Sequence, residues 1–111
     1  MKNSVTLNLN NIDLLREHLS VPEYDPKSLK TGIVHVGVGG FHRAHQAYYL
    51  NELHEADLNP EWGICGIGLR ENDKNIEDVF IKQDNLYTLL VKHPDGKNEA
   101  QVIGSIIDFK L

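Results

Sequence analysis

Gly32-Ile-Val-His-Val-Gly-Val-Gly-Gly-Phe-His-Arg-Ala-His-Gln-Ala-Tyr-Tyr49 is the stretch that decides the fold. A β-branched run (Ile33, Val34, Val36, Val38) leads into three glycines (Gly37, Gly39, Gly40), and a helix-capable segment follows at once. Glycines let the backbone turn sharply and leave room for another backbone or a phosphate to approach. The first N–H groups of a following helix point into that space, where the helix dipole favours an anion. Strand, glycine turn and helix together read as the pyrophosphate cradle of a dinucleotide-binding βαβ unit. Gly37-x-Gly39 fits the first two glycines of G-x-G-x-x-G, but the third place holds His42. A bulky residue there keeps the helix from lying as tightly on the strand as the full fingerprint allows. Spacing alone also leaves open a tight turn with no ligand.

Working outward, residues 1–30 are polar and irregular, with a short amphipathic helix expected over Ile12, Leu14, Leu15 and Leu19, capped by Asn10 or Asn11. Pro22 and Pro26 impose an extended connector. Strand one is expected at 32–38 and its helix at 42–57, with Ala47, Leu50, Leu53 and Ala56 on the sheet side. Asn59-Pro60 ends that helix. Trp62 to Leu69 is apolar on both faces (Ile64, Cys65, Ile67, Leu69), as a covered parallel strand should be. Asp73 to Lys82 reads as a helix with Ile76, Val79 and Phe80 on one side. Leu86–Val91 and Ala100–Ile107 flank His93-Pro-Asp-Gly96, a turn in which Pro presets φ and Gly takes the positive-φ position. The expected class is therefore α/β: a partial Rossmann-type parallel sheet with flanking helices, plus an antiparallel β-hairpin near the C-terminus. Residues 1–30 form the lead-in and 31–111 the nucleotide-binding unit.

Composition narrows the partners. At 111 residues the chain makes one domain at most, and its net charge of −5 supplies no basic stripe for nucleic acid or an anionic membrane. No apolar run approaches the roughly 18 residues a bilayer span needs. The first residues lack the apolar core of a signal peptide. One cysteine, Cys65, excludes an internal disulfide and suits a reducing cytoplasm, where it reads as a small buried apolar group.

Three further blocks extend the pattern: Pro22-Glu-Tyr24-Asp25 before the first strand, Trp62-Gly-Ile-Cys-Gly-Ile-Gly-Leu69 as the second, and Gln83-Asp84-Asn-Leu-Tyr-Thr-Leu89 followed by Val102-Ile-Gly-Ser-Ile106. With the Gly-Val-Gly-Gly-Phe-His-Arg-Ala-His core, these ordered blocks over about residues 20–109 resemble the amino-terminal part of the polyol-specific long-chain dehydrogenases. That family contains mannitol 2-dehydrogenase and the fructuronate and tagaturonate reductases. The resemblance implies a Rossmann domain that binds NAD in preference to NADP. It also implies an enzyme that oxidises a polyol or sugar acid at a secondary alcohol to the ketose or keto-acid.

The candidate cofactor-binding set is Gly37, Val38, Gly39, Gly40, Phe41, His42, Arg43 and Asp73. Gly39, Gly40 and Phe41 would offer backbone N–H groups to the diphosphate, and Gly37 makes the turn. Arg43, a cation in a first helical turn, suits a phosphate or carboxylate, or lies in solvent. Asp73, just past strand two, could accept from the adenosine ribose, and in the resembled family such an acid goes with NAD because a carboxylate repels a 2′-phosphate. Glu71 is an equally placed rival, Arg70 and Lys74 could tolerate a phosphate, and Asp73 could simply cap its helix. His42 and His45 lack the third ligand a metal site needs, so no metal is expected, and both are expected to pack beside the loop or bond to a neighbouring domain. His35 reads as a core or interdomain histidine; His18, His54 and His93 read as surface residues.

No residue here is a catalytic candidate. In the resembled family a lysine, assisted by asparagine and histidine in a carboxyl-terminal domain, moves the hydroxyl proton, and nothing in 1–111 matches it. The chain is thus expected to be the nucleotide-binding front of such a dehydrogenase, inactive alone. The alternative from another class is a non-catalytic module acting in assembly. An unpaired parallel strand is expected to leave its edge and one apolar face wet.

Overall fold

A computed structural model describes residues 6–58 and 61–111. The expectations for the first five residues and for Asn59-Pro60 as a helix stop lie outside the described residues. In chain order the elements are α1 (Ile12–Leu15), β1 (Lys30–Val36), α2 (Gly40–Ala44), α3 (Gln46–Glu55), β2 (Trp62–Ile67), α4 (Asp73–Lys82), β3 (Tyr87–Lys92), β4 (Asn98–Ile103) and β5 (Ile106–Lys110). β1, β2 and β5 form a parallel sheet in that order, while β3 and β4 pair antiparallel as a separate two-stranded sheet. Parallel neighbours need a crossover, and here α2–α3 link β1 to β2, while α4 and the hairpin link β2 to β5.

The α/β class and the hairpin stand as expected, and Gly96 takes φ +89° in its turn. The second hairpin strand is shorter than expected. The run expected as one strand, Ala100–Ile107, breaks at Gly104-Ser105, and Ile106 onward returns to the parallel sheet beside β2. Tertiary bonds make the break. Gly104 N–H donates to Asn51 Oδ1 at 3.0 Å, the Ser105 hydroxyl to the Ala47 carbonyl at 2.6 Å, and Ile64 N–H to the Ser105 carbonyl.

One core holds the layers together: Val38, Ala47, Leu50, Ile64, Phe80, Tyr87, Ile103, Ile106 and Phe109. A second, of Val21, Leu86 and Val102 with Leu7, Leu9, Ile12, Leu15 and Leu19 against it, docks the lead-in on the hairpin. The amphipathic segment there is only one α-turn, preceded by a 3₁₀ turn, and its cap is Asn8, whose side chain accepts from Asn11 N–H. On α3 the buried stripe is Ala47, Leu50, Asn51 and His54, not Ala47, Leu50, Leu53 and Ala56. His54 is therefore interior, its Nε2 against the Trp62 carbonyl, where a surface place was expected. On α4, Phe80 is buried but Val79 is half exposed. β1 is an outer strand, and Val34 and Val36 are 64% and 56% exposed.

Candidate functional site

β1 and β2 run parallel and end side by side, Val36 opposite Ile67. Beyond those carboxyl ends lies a hollow of about 680 Å³, walled by residues 35–39, Phe41, His42 and Gln46 on one side and Leu69, Arg70, Asp73 and Ile76 on the other. Crevices outside the carboxyl ends of parallel strands are where open α/β sheets take ligands.

The glycine turn forms one wall. Gly37 has φ +88°, a conformation L side chains rarely adopt, and its N–H donates to the Ile67 carbonyl. Val38 turns its side chain into the core over Gly66, so only its main chain belongs to the site. A Cβ at Gly39 or Gly40 would meet no heavy atom within 4 Å. The N–H groups of Val38, Gly39, Gly40, Phe41 and His42 make no hydrogen bond to the described residues. Four of these five donors, those of Val38, Gly39, Phe41 and His42, belong to residues that line the hollow, and successive unpaired amides of this kind are suited to an anion.

The helix that follows differs from the expected single helix over 42–57. α2 ends after five residues, His45 takes φ −123° and ψ −86°, and α3 starts afresh. Side chains occupy the carbonyls at this break: Tyr87 Oη donates to Arg43 O at 2.6 Å, and His45 Nδ1 lies 2.7 Å from Phe41 O. A five-residue helix has little macrodipole, so the attraction for an anion rests on the local amides rather than on a long helix.

His42 occupies the third glycine position. Its ring stacks on His35 of β1 at 3.9 Å between centroids, filling the gap between strand and helix that a glycine would close. It is 6% exposed, and its Nε2 is buried without a partner. Burial, reinforced by His35 and Arg43, pushes its pKa down to about 4 and keeps it neutral. His45 stacks on Phe41, which is 78% exposed. Arg43 folds back, its Nε donating to Gly39 O at 3.2 Å, and neither it nor Gly40 lines the hollow.

Across the hollow, Asp73 Oδ2 accepts from the N–H groups of Leu69 and Arg70, both at 2.9 Å. Asn72 precedes the helix without capping it, so Asp73 orders the turn from the first helical position. Arg70 makes no side-chain bond, whereas Lys74 sits near Glu77 and Asp78 on its own helix. Six of the eight expected site residues (Gly37, Val38, Gly39, Phe41, His42 and Asp73) share this hollow. Gln46 and His35 were missed as lining residues. The only sequence signal for Gln46 was its place four residues after His42 in the expected continuous helix, which the structure breaks at His45. Among the described residues no group of three His, Cys, Asp or Glu could hold a metal, and no helix is long and apolar enough to cross a membrane.

An open hollow at the ends of parallel strands, with a glycine turn between the first strand and its helix and an acid after the second strand, is the arrangement of a Rossmann-type domain. Residues 31–110 match the family described as the mannitol dehydrogenase Rossmann domain. The chain belongs to that family. It is 46% identical over 107 residues to a mannitol 2-dehydrogenase of Pyrenophora tritici-repentis, covering 96% of the chain and 19% of the relative. To the Cereibacter sphaeroides mannitol 2-dehydrogenase it is 43% identical over 88 residues, covering 79% and 18%. Among solved structures it superposes on Pseudomonas fluorescens mannitol 2-dehydrogenase, a ternary complex with NAD and D-mannitol, with TM-score 0.88 and 42% identity over 95% of the chain and 21% of that protein. On a substrate-free D-sorbitol dehydrogenase the TM-score is 0.86 with 35% identity, covering 96% and 22%. The chain thus spans about a fifth of the length of these relatives.

Proposed function

We propose that residues 31–111 bind NAD as the nucleotide-binding portion of a dehydrogenase that interconverts a polyol and a ketose, with the substrate and proton-transfer groups carried by other parts of the parent protein. The observation that carries this reading is the set of five free amides at Val38–His42 beside an open hollow, in a family whose relative was solved with NAD and D-mannitol. The fit is physical: the space beside Gly39 and Gly40 would be filled by a Cβ, and His42 Nε2 lacks a partner.

In this reading Gly39, Gly40 and Phe41 donate to the diphosphate, Gly37 sets the turn, Val38 adds its main-chain N–H, and His42 walls the seat. Arg43 screens phosphate charge from the rim. Asp73 keeps the turn after β2 in place and offers its second oxygen to the ribose hydroxyls, which favours NAD over NADP. NAD, when bound, supplies the hydride acceptor for alcohol oxidation. Mannitol is the leading substrate, because the relatives act on or are complexed with polyols by name; a mannonate or fructuronate reaction is the sugar-acid counterpart. A buried free thiol at Cys65 fits a reducing cytoplasm.

Calorimetric titration tests the reading: NAD should bind with a dissociation constant of about 1 mM or tighter, roughly −4 kcal/mol, and NADP more weakly. A folded chain that gives no heat with NAD overturns it. A second reading, an assembly module without cofactor, is favoured only by exposed Val34 and Val36 on an outer strand. It requires self-association by sedimentation that Val34→Lys abolishes, together with no response to NAD.

A further inference from the structure

We infer that His35 is a positioning residue: it fixes the peptide between Gly37 and Val38 so that the turn presents N–H groups rather than a carbonyl to an anionic ligand. This rests on the reading of the hollow as a dinucleotide site and names a residue outside the binding set proposed for it.

His35 shares its face of β1 with Ile33 and is only partly exposed, while the apolar Val34 and Val36 lie on the opposite, exposed face. Its Nδ1 lies 2.9 Å from the Gly37 carbonyl oxygen. A carbonyl only accepts, so Nδ1 carries the hydrogen and the tautomer follows from the bond. On its other face the ring is held against His42. Gly37 is thus pinned twice, its N–H to Ile67 of β2 and its C=O to His35.

The bond matters because glycine, without a Cβ, changes ψ at little cost. Rotation of the following peptide turns ψ of Gly37 and φ of Val38: Gly37, at φ +88° with no atom within 4 Å of a would-be Cβ, adds little resistance, while the branched Val38 resists a positive φ. In a planar trans peptide, C=O and N–H point in opposite directions. Rotation of the Gly37–Val38 unit would therefore exchange a donor for an acceptor at the start of the amide series, and an oxygen dipole facing a diphosphate is repulsive. The His35 bond opposes that rotation and presets the seat before ligand arrives.

Two variants separate the bond from the packing. His35→Phe keeps a ring to stack on His42 but has no donor; His35→Asn loses the ring but places an amide N–H where Nδ1 stood. NAD and ADP-ribose affinity should fall about tenfold in His35→Phe and stay within about threefold of wild type in His35→Asn. The Gly37 carbonyl carbon shift of the ligand-free chain should move in His35→Phe and be restored in His35→Asn. Equal affinity in wild type and His35→Phe, or an Asn variant as weak as Phe, overturns the inference. Should wild type bind no NAD, the dinucleotide reading fails, and the Gly37 shift decides the clamp separately. Should His35→Phe not fold, the wild-type His35 ring nitrogens decide: a protonated Nδ1 supports the clamp, a bare Nδ1 overturns it.

Discussion

The Tyr87 hydroxyl donates to the Arg43 carbonyl at 2.6 Å, tying the first strand of the hairpin to the break between α2 and α3. The two residues are 44 positions apart, and Tyr87 is buried in the main core. Burial holds the phenol above its ordinary pKa, so it stays a donor at any working pH. Tyr87→Phe should cost about 1–2 kcal/mol, because a half-buried carbonyl at an interrupted helix loses its partner. The urea midpoint at constant m-value measures it, and no change would show that the break holds itself.

Gly39 separates binding from stability. Its backbone lies at φ −95°, which any residue adopts, and its would-be Cβ meets nothing. Gly39→Ala should leave the melting temperature within a few degrees while lowering NAD affinity at least tenfold, about 1.4 kcal/mol. Gly37→Ala should instead lose roughly 1 kcal/mol or more of stability, because its φ is positive. Calorimetry and thermal melts on the same two samples check both.

Acid should unfold the chain partly through His42. Its pKa lies near 4 in the fold and close to the ordinary 6.5 when unfolded, so the unfolded state binds the proton more readily. Its contribution is present above about pH 6.5 and is lost progressively as pH falls towards 4, a loss of roughly 1–3 kcal/mol. His42→Phe should flatten that part of the profile in urea melts recorded across the window. An unchanged slope would assign the acid sensitivity elsewhere.

Asp73→Ala removes the acceptor shared by the amides of Leu69 and Arg70. Those two N–H groups are exposed enough to turn to water, so a stability loss of about 1–2 kcal/mol is expected. With the carboxylate gone and Arg70 free nearby, NADP should gain on NAD. The ratio of the two dissociation constants, measured side by side, reads this directly.

The parts of this molecule legible in its sequence are those set by local chemistry. The glycine run, Pro-Asp-Gly96 and the Asp73–Lys82 helix each carry their own signal, and each lies where expected. The break at His45 carries none: Ala44-His45-Gln46 has neither Pro nor Gly, and the side chain that bonds the freed Arg43 carbonyl, Tyr87, comes from the hairpin. His54 reads as surface because its charge-capable ring masks its place seven residues from Ala47 on the buried stripe. The split of 100–107 into two strands depends on Asn51 and on the hydroxyl of Ser105, both tertiary contacts. In the site, the glycine amides follow from spacing, whereas the His35–His42 stack required knowing that β1 and α2 face each other.

Amide spectra of the ¹⁵N-labelled chain titrated with NAD test the diphosphate seat most directly. Saturable shifts should concentrate at Val38–His42 and at Leu69–Asp73, and ADP-ribose should reproduce most of them. Shifts absent from Val38–His42 in a folded chain, or saturating only elsewhere on the surface, would contradict a nucleotide site at the glycine turn.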